Sequence, residues 1–322
     1  MEIIALDNEL KEMYPLDINA DFEIGNTSAS NDFEIIVSEF AGKGIYVPGT
    51  EFGGIIEHSN DKSMSNSRTL KGWTWRGLLT QWFIEPDSGN DYKIVSGEAN
   101  TVIRELLSKV LGGFFCIPET DSGLTIDNYQ FKLHVSVLEG LMDMLSSYDY
   151  KLCIYAKRTA PGEPIKVFLE AKPAVKIMGT YDEDTGLGLT FTDNQMGVNH
   201  LICWGKGELK ERQRIDLYIN EKGKVSDKQY FTGFKERQAV FDYGNAESLA
   251  DLRKQGIKRL KEIASSKKLQ IDEVGEVDLE IGDIVAGRKN DIGLIIEKPI
   301  ISKILRVSGR TESIEYKVEG EG

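Results

Sequence analysis

Short β-type runs separated by turns fill both ends of this 322-residue chain, and they constrain its fold more than any other feature. In DFEIIVSE, Phe33, Ile35 and Val37 fall on one side, the period of two that is typical of a half-buried strand. In the next run, a Pro-Gly turn at residues 48–49 separates two β segments. Runs of β character return from about Lys172 in LGLTFTD, NHLICWGKG, RIDLYIN and QYFTGFK. The chain is therefore predicted to be mainly β.

Two helical segments interrupt this pattern before the middle of the chain. The first has an apolar stripe that ends at a Gly-Gly pair, a natural C-terminal stop. That stripe consists of Ala99, Ile103, Leu106 and Val110. In the second segment, Ser136 precedes Glu139 by three residues, the spacing of a capping box. With the β-type runs KLCIYAK and PIKVFLEA that follow, they predict a compact α/β insert over residues 96–171.

A third and longer helix is predicted over residues 245–268, with Asn245 as its N-cap. Its apolar stripe consists of Leu249, Leu252, Gly256, Leu260 and Ile263. Basic residues fill the remaining positions, and Lys267–Lys268 would close the helix at the end where cations are favoured.

The order of these elements predicts an α+β fold that is predominantly β. We divide the chain into a first β portion, the insert, a second β portion, the long helix and a C-terminal β segment. Their boundaries are residues 1–95, 96–171, 172–244, 245–268 and 269–322. The two β portions are candidates for related barrels.

Composition excludes several classes of protein. The net charge of −13 argues against a general nucleic-acid binder, since neutralising phosphates requires a surplus of Lys and Arg. The three cysteines, Cys116, Cys153 and Cys203, lie far apart and form neither a disulfide framework nor a zinc motif. The acidic start and the lack of a long apolar run predict neither a signal peptide nor a membrane span.

The stretch NHLICWGKGELKERQRIDLYINEKGK concentrates several suggestive residue types. Its Gly205 and Gly207 lack the third glycine of a dinucleotide fingerprint, so they indicate a turn at the end of a strand. From Lys206 to Lys224 there are six basic residues against four acidic ones, with the signs interleaved. Such mixing is typical of a solvated face or a subunit contact. The candidate interface residues are Lys206, Glu208, Lys210, Glu211, Arg212 and Arg214.

No catalytic, cofactor or metal site is predicted from the residue patterns. His58, His134 and His200 lie in no metal motif, although a hidden pairing of a cysteine with a histidine stays open. The run at Asp182 resembles the opening of a calcium loop but lacks the glycine and glutamate that an EF-hand requires, so calcium stays a minor alternative.

Three tryptophans, Trp73, Trp75 and Trp82, fall within ten residues. Clustered tryptophans can stack on sugars, but burial in a core or an interface is their commoner use. A carbohydrate-binding module is therefore kept as an alternative.

Several of these patterns together resemble the hub or baseplate-hub proteins of phage tails, the siphovirus tail-protein type that is related to the hubs of contractile injection systems. The resemblance begins at the edge-strand pattern EFGGIIEHSNDKSMSNSRTLKGWTWRGLLTQWFI. It continues through the Asn-strand-Gly-x-Gly stretch at residues 199–224 and ends with ERQAVFDYGNAESLADLRKQGIKRLKE and DLEIGDIVAGRK. In the family a charged Arg-Glu pair often precedes the long helix, whereas this chain has Glu236–Arg237 followed by Gln238.

The resemblance implies two tube-type β-barrels per subunit and a homotrimer, in which six barrels form a ring that adapts a six-fold tail tube to a three-fold tip. The implied partners are the tail tube or distal tail protein ring, a central spike or tip protein, and a LysM-type or tape-measure protein. The implied location is the virion tail, after assembly in the host bacterial cytoplasm. The alternatives are a tail-associated peptidoglycan hydrolase and a carbohydrate-binding tail module.

Overall fold

The computed structural model describes residues 1–62, 67–111, 114–179, 187–194, 196–220, 223–264, 266–274, 279–289, 294–309 and 311–319. The chain forms two compact units. The large unit comprises Met1–Leu189 with Gln270–Gly322, and the small unit comprises Thr190–Leu269. The fold is predominantly β, as the alternating sequence pattern predicts. None of the helices in the described ranges is both long and apolar enough to cross a lipid bilayer.

The large unit contains most of the strands. In chain order they are β1 (Ile3–Leu6), β2 (Glu12–Leu16), β3 (Asn19–Gly25), β4 (Asn31–Val37), β5 (Gly44–Tyr46), β6 (Gly53–Lys62), β7 (Ser67–Thr74), β8 (Ile94–Glu98), β9 (Phe115–Cys116), β10 (Thr125–Gln130), β11 (Tyr150–Arg158), β12 (Ile165–Pro173) and β13 (Lys176–Gly179).

The remaining strands complete both units. They are β14 (Leu187–Asn194), β15 (His200–Trp204), β16 (Arg214–Ile219), β17 (Val225–Ser226), β18 (Gln238–Asp242), β19 (Ser266–Val274), β20 (Ile284–Lys289), β21 (Leu294–Ser308) and β22 (Thr311–Val318). The helices are α1 (Trp75–Leu78), α2 (Ala99–Leu111), α3 (Val137–Ser146) and α4 (Leu249–Ile263).

One eleven-stranded sheet dominates the large unit and curls into a half-barrel. Its order is β13-β20-β21-β3-β4-β7-β6-β5-β1-β2, with β22 paired to β21. The period of two predicted for β4 is confirmed, since Phe33, Ile35 and Val37 are buried. The sheet unites the start of the chain with its C-terminal segment, because β21 pairs with β3. The arrangement as two separate tube-type barrels stays a prediction, and so do the predicted domain boundaries other than those of the long helix.

The insert between β7 and β13 contains a three-stranded sheet, β11-β12-β9, with α2 and α3 packed against it. The predicted capping box is confirmed in one direction, since Ser136 Oγ accepts the N–H of Glu139 at 3.2 Å. The Glu139 carboxylate instead accepts the backbone N–H and the hydroxyl of Ser28, at 3.1 Å each. The spacing predicts that Glu139 bonds back to the start of its own helix, but its carboxylate instead joins α3 to the loop after β3.

The small unit is a four-stranded sheet covered on one face by α4. Its order is β17-β16-β15-β18, and β15 runs antiparallel to β16 and parallel to β18. The core between sheet and helix includes Leu201, Cys203, Leu217, Leu252 and Leu260. A Cβ at Gly256 would lie 2.7 Å from Cys203 Sγ, so α4 can approach β15 this closely only with glycine there. Strands β14 and β19 pair and carry the chain between the two units.

The bounds predicted for the long helix are wrong at both ends. Ser248, not Asn245, is the N-cap, because its Oγ accepts the N–H of Asp251 at 3.1 Å. The helix ends at Ile263, and Lys267–Lys268 lie in β19. The burial of Leu252 and Leu260 confirms the central part of the predicted stripe, whereas Leu249 is 52% exposed.

The strand predicted at QYFTGFK is also wrong. Residues 233–235 form a single 3-10 turn, and Gly233 has a φ of +62°. This left-handed conformation lies outside the β region, so the backbone turns before it reaches β18.

Candidate interaction surface

The charge-rich stretch is a strand pair, as predicted. β15 and β16 are antiparallel neighbours in which Trp204 lies opposite Arg214. The connecting loop closes where the N–H of Gly205 donates to the carbonyl of Gln213 at 2.8 Å. Gly207 has a φ of +113°, which agrees with the prediction that these glycines serve a turn at the strand end. We call residues 205–213 the hairpin loop.

The six candidate interface residues divide into two groups. Four of them project from the hairpin loop, are exposed, and form no side-chain hydrogen bond or ion pair with another residue that the structure describes. These four are Lys206, Glu208, Lys210 and Glu211. Their charges are therefore available to groups outside the chain.

Arg212 and Arg214 instead fold back onto the sheet. Their guanidinium carbons lie 5.9 and 5.4 Å from the ring centroid of Trp204. Arg212 also pairs with Asp242 and donates from Nε to the carbonyl of Gly205 at 2.9 Å. Arg214 donates to both carboxylate oxygens of its β16 neighbour Asp216, at 2.9 and 2.8 Å. Both arginines thus fix the base of the hairpin loop, where it joins β15 and β16, and their cation–π contacts hold Trp204 in place.

Leu209 forms the tip of the hairpin loop, and the sequence reasoning missed it. Its side chain is 91% exposed. Its φ of +48° is a left-handed conformation that is unfavourable for leucine. Strain and exposure of this kind are typical of sites where the backbone presents a side chain for contact. The sequence signal that could have identified Leu209 is its position as the one apolar residue within the charged run GELKER.

A second apolar tip, Phe234, lies at the opposite end of the same sheet. The hairpin loop follows the C-terminal end of β15, whereas Phe234 precedes the N-terminal end of the parallel strand β18. Phe234 is 91% exposed. On the edge strand β18, Val240 is 65% exposed and lies opposite Ile202. Together with Leu209 and the four loop charges, these residues define what we call the small-unit surface.

His200 lies on the face of β15 that points away from α4 and is held between two acids. Its Nδ1 is 2.7 Å from Glu236 Oε1, and its Nε2 is 2.8 Å from Asp216 Oδ1. The ring also stacks on Tyr218, with centroids 4.3 Å apart. The cluster therefore joins β15 and β16 to the segment that precedes β18.

A catalytic dyad of His200 with Cys203 is not formed. The alternation of β15 puts the thiol on the α4 side of the sheet, away from the imidazole. Burial, helped by the charge of Asp216, raises the pKa of the Cys203 thiol to about 11. A thiol with this pKa is protonated at neutral pH and is a poor nucleophile.

The other candidate ligands do not gather into a site. Within the described ranges no group of three or more His, Cys, Asp or Glu residues is placed to hold a metal ion. His58 lies on β6 and His134 in an exposed turn before α3. Asp182, named above for calcium, lies outside the described residues.

The three clustered tryptophans do not form a common platform. Trp75 is fully buried at the start of α1, Trp73 is half-buried on β7, and Trp82 is 43% exposed. The interpretation of Trp75 as a core residue is confirmed. Trp82 lies in a groove of the large unit.

The chain matches no family model and no curated protein sequence. Three solved structures are similar to it over nearly the whole length. The tail protein from Neisseria meningitidis MC58 is 13% identical, with a TM-score of 0.46 and coverage of 99% of this chain and 96% of that one. Prophage tail protein gp18 from Listeria monocytogenes EGD-e is 12% identical, with a TM-score of 0.46 and coverage of 100% of this chain and 95% of that one. The phage P2 baseplate in its activated conformation with Ca is 12% identical, with a TM-score of 0.44 and coverage of 99% of this chain and 98% of that one.

The chain is similar in structure to phage tail and baseplate proteins. This is the class of protein that its sequence motifs resemble.

Proposed function

We propose that the chain is the structural hub of a phage tail or a phage-like injection particle. Three copies form a ring that adapts the six-fold tail tube to a three-fold tip and lets DNA pass through its centre. The observation that carries this proposal is the small-unit surface, which exposes two apolar tips, an edge strand and four charges that pair with no other described residue. The type of assembly is inferred from the sequence motifs, which resemble those of phage tail hub proteins in the same order.

The physical reason is the cost of leaving this surface uncovered. Burying a leucine, valine or phenylalanine side chain contributes about 1.5–3 kcal/mol, so Leu209, Phe234 and Val240 favour a contact that covers them. An open edge strand such as β18 presents backbone groups that pair with another chain unless they are covered. A closed ring of identical subunits covers the same surface on every copy without leaving free ends.

The charges fit the same role. Lys206, Glu208, Lys210 and Glu211 alternate in sign, and such patterns set the register of two docked surfaces. The net charge of −13 suits a channel wall past which DNA slides without sticking, and we propose no specific nucleic-acid binding.

The location of the hub in this proposal is the baseplate or tail tip of the virion, after assembly in the host bacterial cytoplasm. Its partners are the tail tube or distal tail protein ring, a central spike or tip protein, and a LysM-type or tape-measure protein. We propose no enzymatic activity and no cofactor.

Native mass spectrometry of the purified chain tests the ring directly. We expect a trimer, and we expect the double variant L209S/F234S to shift the population towards monomer while its circular dichroism stays that of the wild type. The matched control is I314S, which alters a partly exposed side chain of β22 in the large unit and should leave the trimer intact. Electron microscopy of cognate particles should place the chain at the tip of the tube. If the purified chain is a stable monomer and is also absent from the cognate particles, the proposal is wrong.

The two competing functions give different results. A tail-associated peptidoglycan hydrolase releases soluble products from purified cell walls, whereas a structural hub releases none. A carbohydrate-binding module that uses Trp82 binds a glycan array, and W82A abolishes that binding.

A further inference from the structure

The large unit contains an open groove of about 620 Å³, which is lined by residues 81–95 and by helix α2, with Val137 of α3. Its floor is apolar, with Leu106 and neighbouring buried side chains, and its wall carries Trp82, Phe83 and Pro86. Phe83 is 58% exposed and Trp82 is 43% exposed. Aromatic rings that stay half open beside an apolar floor are typical of a surface that receives a partner. We call this feature the Trp82 groove.

The rim of the Trp82 groove is acidic. Among the lining residues whose side chains the structure describes, Glu85, Asp87 and Glu105 are acidic and Lys93 is basic, and Lys93 is bonded to Asp87 at 2.7 Å. Glu85 and Glu105 are exposed and have no ion-pair partner among the residues that the structure describes. An occupant that combines basic groups with apolar stems fits both the walls and the rim.

Helix α4 of the small unit offers such a surface. Lys254, Lys258 and Lys261 are exposed and recur with i, i+4, i+7 spacing, so they form one stripe. The stripe is about 10 Å long, because each helical residue rises about 1.5 Å. None of the three lysines is paired with a described residue, whereas Arg253 and Arg259 on the same helix pair with Asp227 and Glu262. In a chain with a net charge of −13, this stripe is a concentrated positive surface.

We propose that the lysine stripe of α4 on one copy docks in the Trp82 groove of a second copy. The methylene stems of the lysines lie along Trp82 and Phe83, and the ammonium groups reach Glu85 and Glu105. The two surfaces differ, so each copy uses both, and the contact is head-to-tail. A head-to-tail contact closes into a ring when its rotation permits. The inference rests on the proposed hub ring and names one contact between its subunits.

A charge exchange on the full-length chain tests this contact. E85K/E105K makes the rim of the groove basic, and K254E/K258E makes the stripe acidic. We expect each double variant to weaken self-association by about tenfold or more, as seen by mass photometry over a concentration series. We expect the combined variant, which restores opposite charges with the signs exchanged, to recover association.

Matched controls are E163K and K166E, which make the same changes at exposed positions outside both surfaces and should leave association unchanged. Circular dichroism and thermal melting confirm that every variant is folded. Recovery in the combined variant supports the contact. If the wild type is a trimer and both double variants remain trimers, the contact is wrong while the hub function stands. A monomeric wild type overturns the contact, and it overturns the hub function as well if the chain is also absent from the particle. If E85K/E105K keeps the trimer but loses capture of another tail protein, that protein is the occupant and the second copy is not.

Discussion

Lys151 donates to both carboxylate oxygens of Asp283, at 2.8 Å each, although 132 positions separate the two residues in the chain. Both side chains are buried, and Glu280 Oε2 lies 2.6 Å from the same ammonium group. Asp283 also accepts the backbone N–H groups of Val175 and Glu280, at 2.8 and 3.0 Å. The pair therefore anchors β11 of the insert to the turn that precedes β20.

We predict that K151M destabilises the large unit by about 3–5 kcal/mol, because it leaves the Asp283 carboxylate buried without its cation. Urea unfolding followed by fluorescence measures the change. The double variant K151M/D283L should regain part of the loss, since it removes both charges together. A K151M variant that is as stable as the wild type would contradict this account.

The same pair gives a pH dependence at alkaline pH. Burial opposes the charge on Lys151, but the hydrogen bonds from its ammonium group to Asp283 and Glu280 prevail and raise the pKa of Lys151 above 10.5. A raised lysine pKa contributes stability that is fully present below 10.5 and is lost as pH rises through the higher folded-state value. We expect the free energy of unfolding to fall above pH 10.5 in the wild type, by more than in K151M.

Glu98 stabilises the N-terminus of α2 without being a residue that usually caps helices. Its carboxylate accepts the N–H groups of Asn100 and Thr101, at 2.9 and 2.8 Å, and the hydroxyl of Ser122 at 2.5 Å. Burial would raise the pKa of Glu98, but the hydrogen bonds from Ser122, Asn100 and Thr101 outweigh it and lower the pKa to about 2. The carboxylate thereby satisfies N–H groups that a helix leaves unpaired at its start.

We predict that E98Q costs about 1–2 kcal/mol at pH 7, after allowance for solvent screening of a partly exposed group. A lowered carboxyl pKa contributes stability above 4.5 that is lost as pH falls towards 2, so the difference between wild type and E98Q should vanish over that interval. Thermal melting at stepwise lower pH measures it. A difference that stays constant down to pH 2 would refute the role assigned to the carboxylate.

In the small unit, Asp216 links Arg214 to His200. The hydrogen bonds that Arg214 donates to Asp216 lower the pKa of the Asp216 carboxyl below 3.8. Burial opposes this shift, and the hydrogen bond with His200 adds to it. We predict that D216N lowers the stability of the folded chain by about 1 kcal/mol at neutral pH. The loss should shrink as pH falls from about 4 through the lower folded-state pKa, because the wild-type carboxylate then becomes protonated as well. Chemical denaturation of both proteins at pH 7 and pH 3 provides the comparison.

Leu209 should show opposite effects on stability and on assembly. L209G relieves the left-handed strain at the tip of the hairpin loop, so we predict a folded chain that is unchanged or up to about 1 kcal/mol more stable. It also removes the apolar side chain, so we predict weaker trimer formation. Melting temperature and native mass spectrometry are read on the same sample. A variant that is less stable but equally trimeric would argue that Leu209 belongs to the fold and not to the interface.

Local signals in the sequence were enough to find many of the elements. The alternation around Phe33 and Ile35, the α2 stripe and the Ser136 cap all describe interactions within a few residues. The structure confirms the alternation, the cap and the burial of Ala99, Ile103 and Leu106, whereas the side chain of Val110 lies outside what it describes. Predictions failed where a nearby competitor was stronger. Ser248 caps α4 instead of Asn245 because Ser248 stands at the position from which a side chain reaches the N–H of Asp251.

The candidate interface stays a prediction, and its six residues do not share one environment in the structure. Sequence proximity grouped Arg212 and Arg214 with the exposed loop residues, yet cross-strand geometry turns both onto Trp204. The exposed tips Leu209 and Phe234 were missed, because hydrophobic residues are assigned to cores unless the backbone conformation that holds them outward is known.

By itself, the sequence determined most of the segments that become strands or helices, the net negative charge, and the placement of mixed charge on a hairpin, since each depends on composition or on residues close together in the chain. Only the tertiary structure decided which distant groups meet. Lys151 meets Asp283, His200 meets Glu236, and strand β21 pairs with strand β3. These contacts depend on where the folded backbone brings remote side chains, and residue spacing along the chain carries no record of that arrangement.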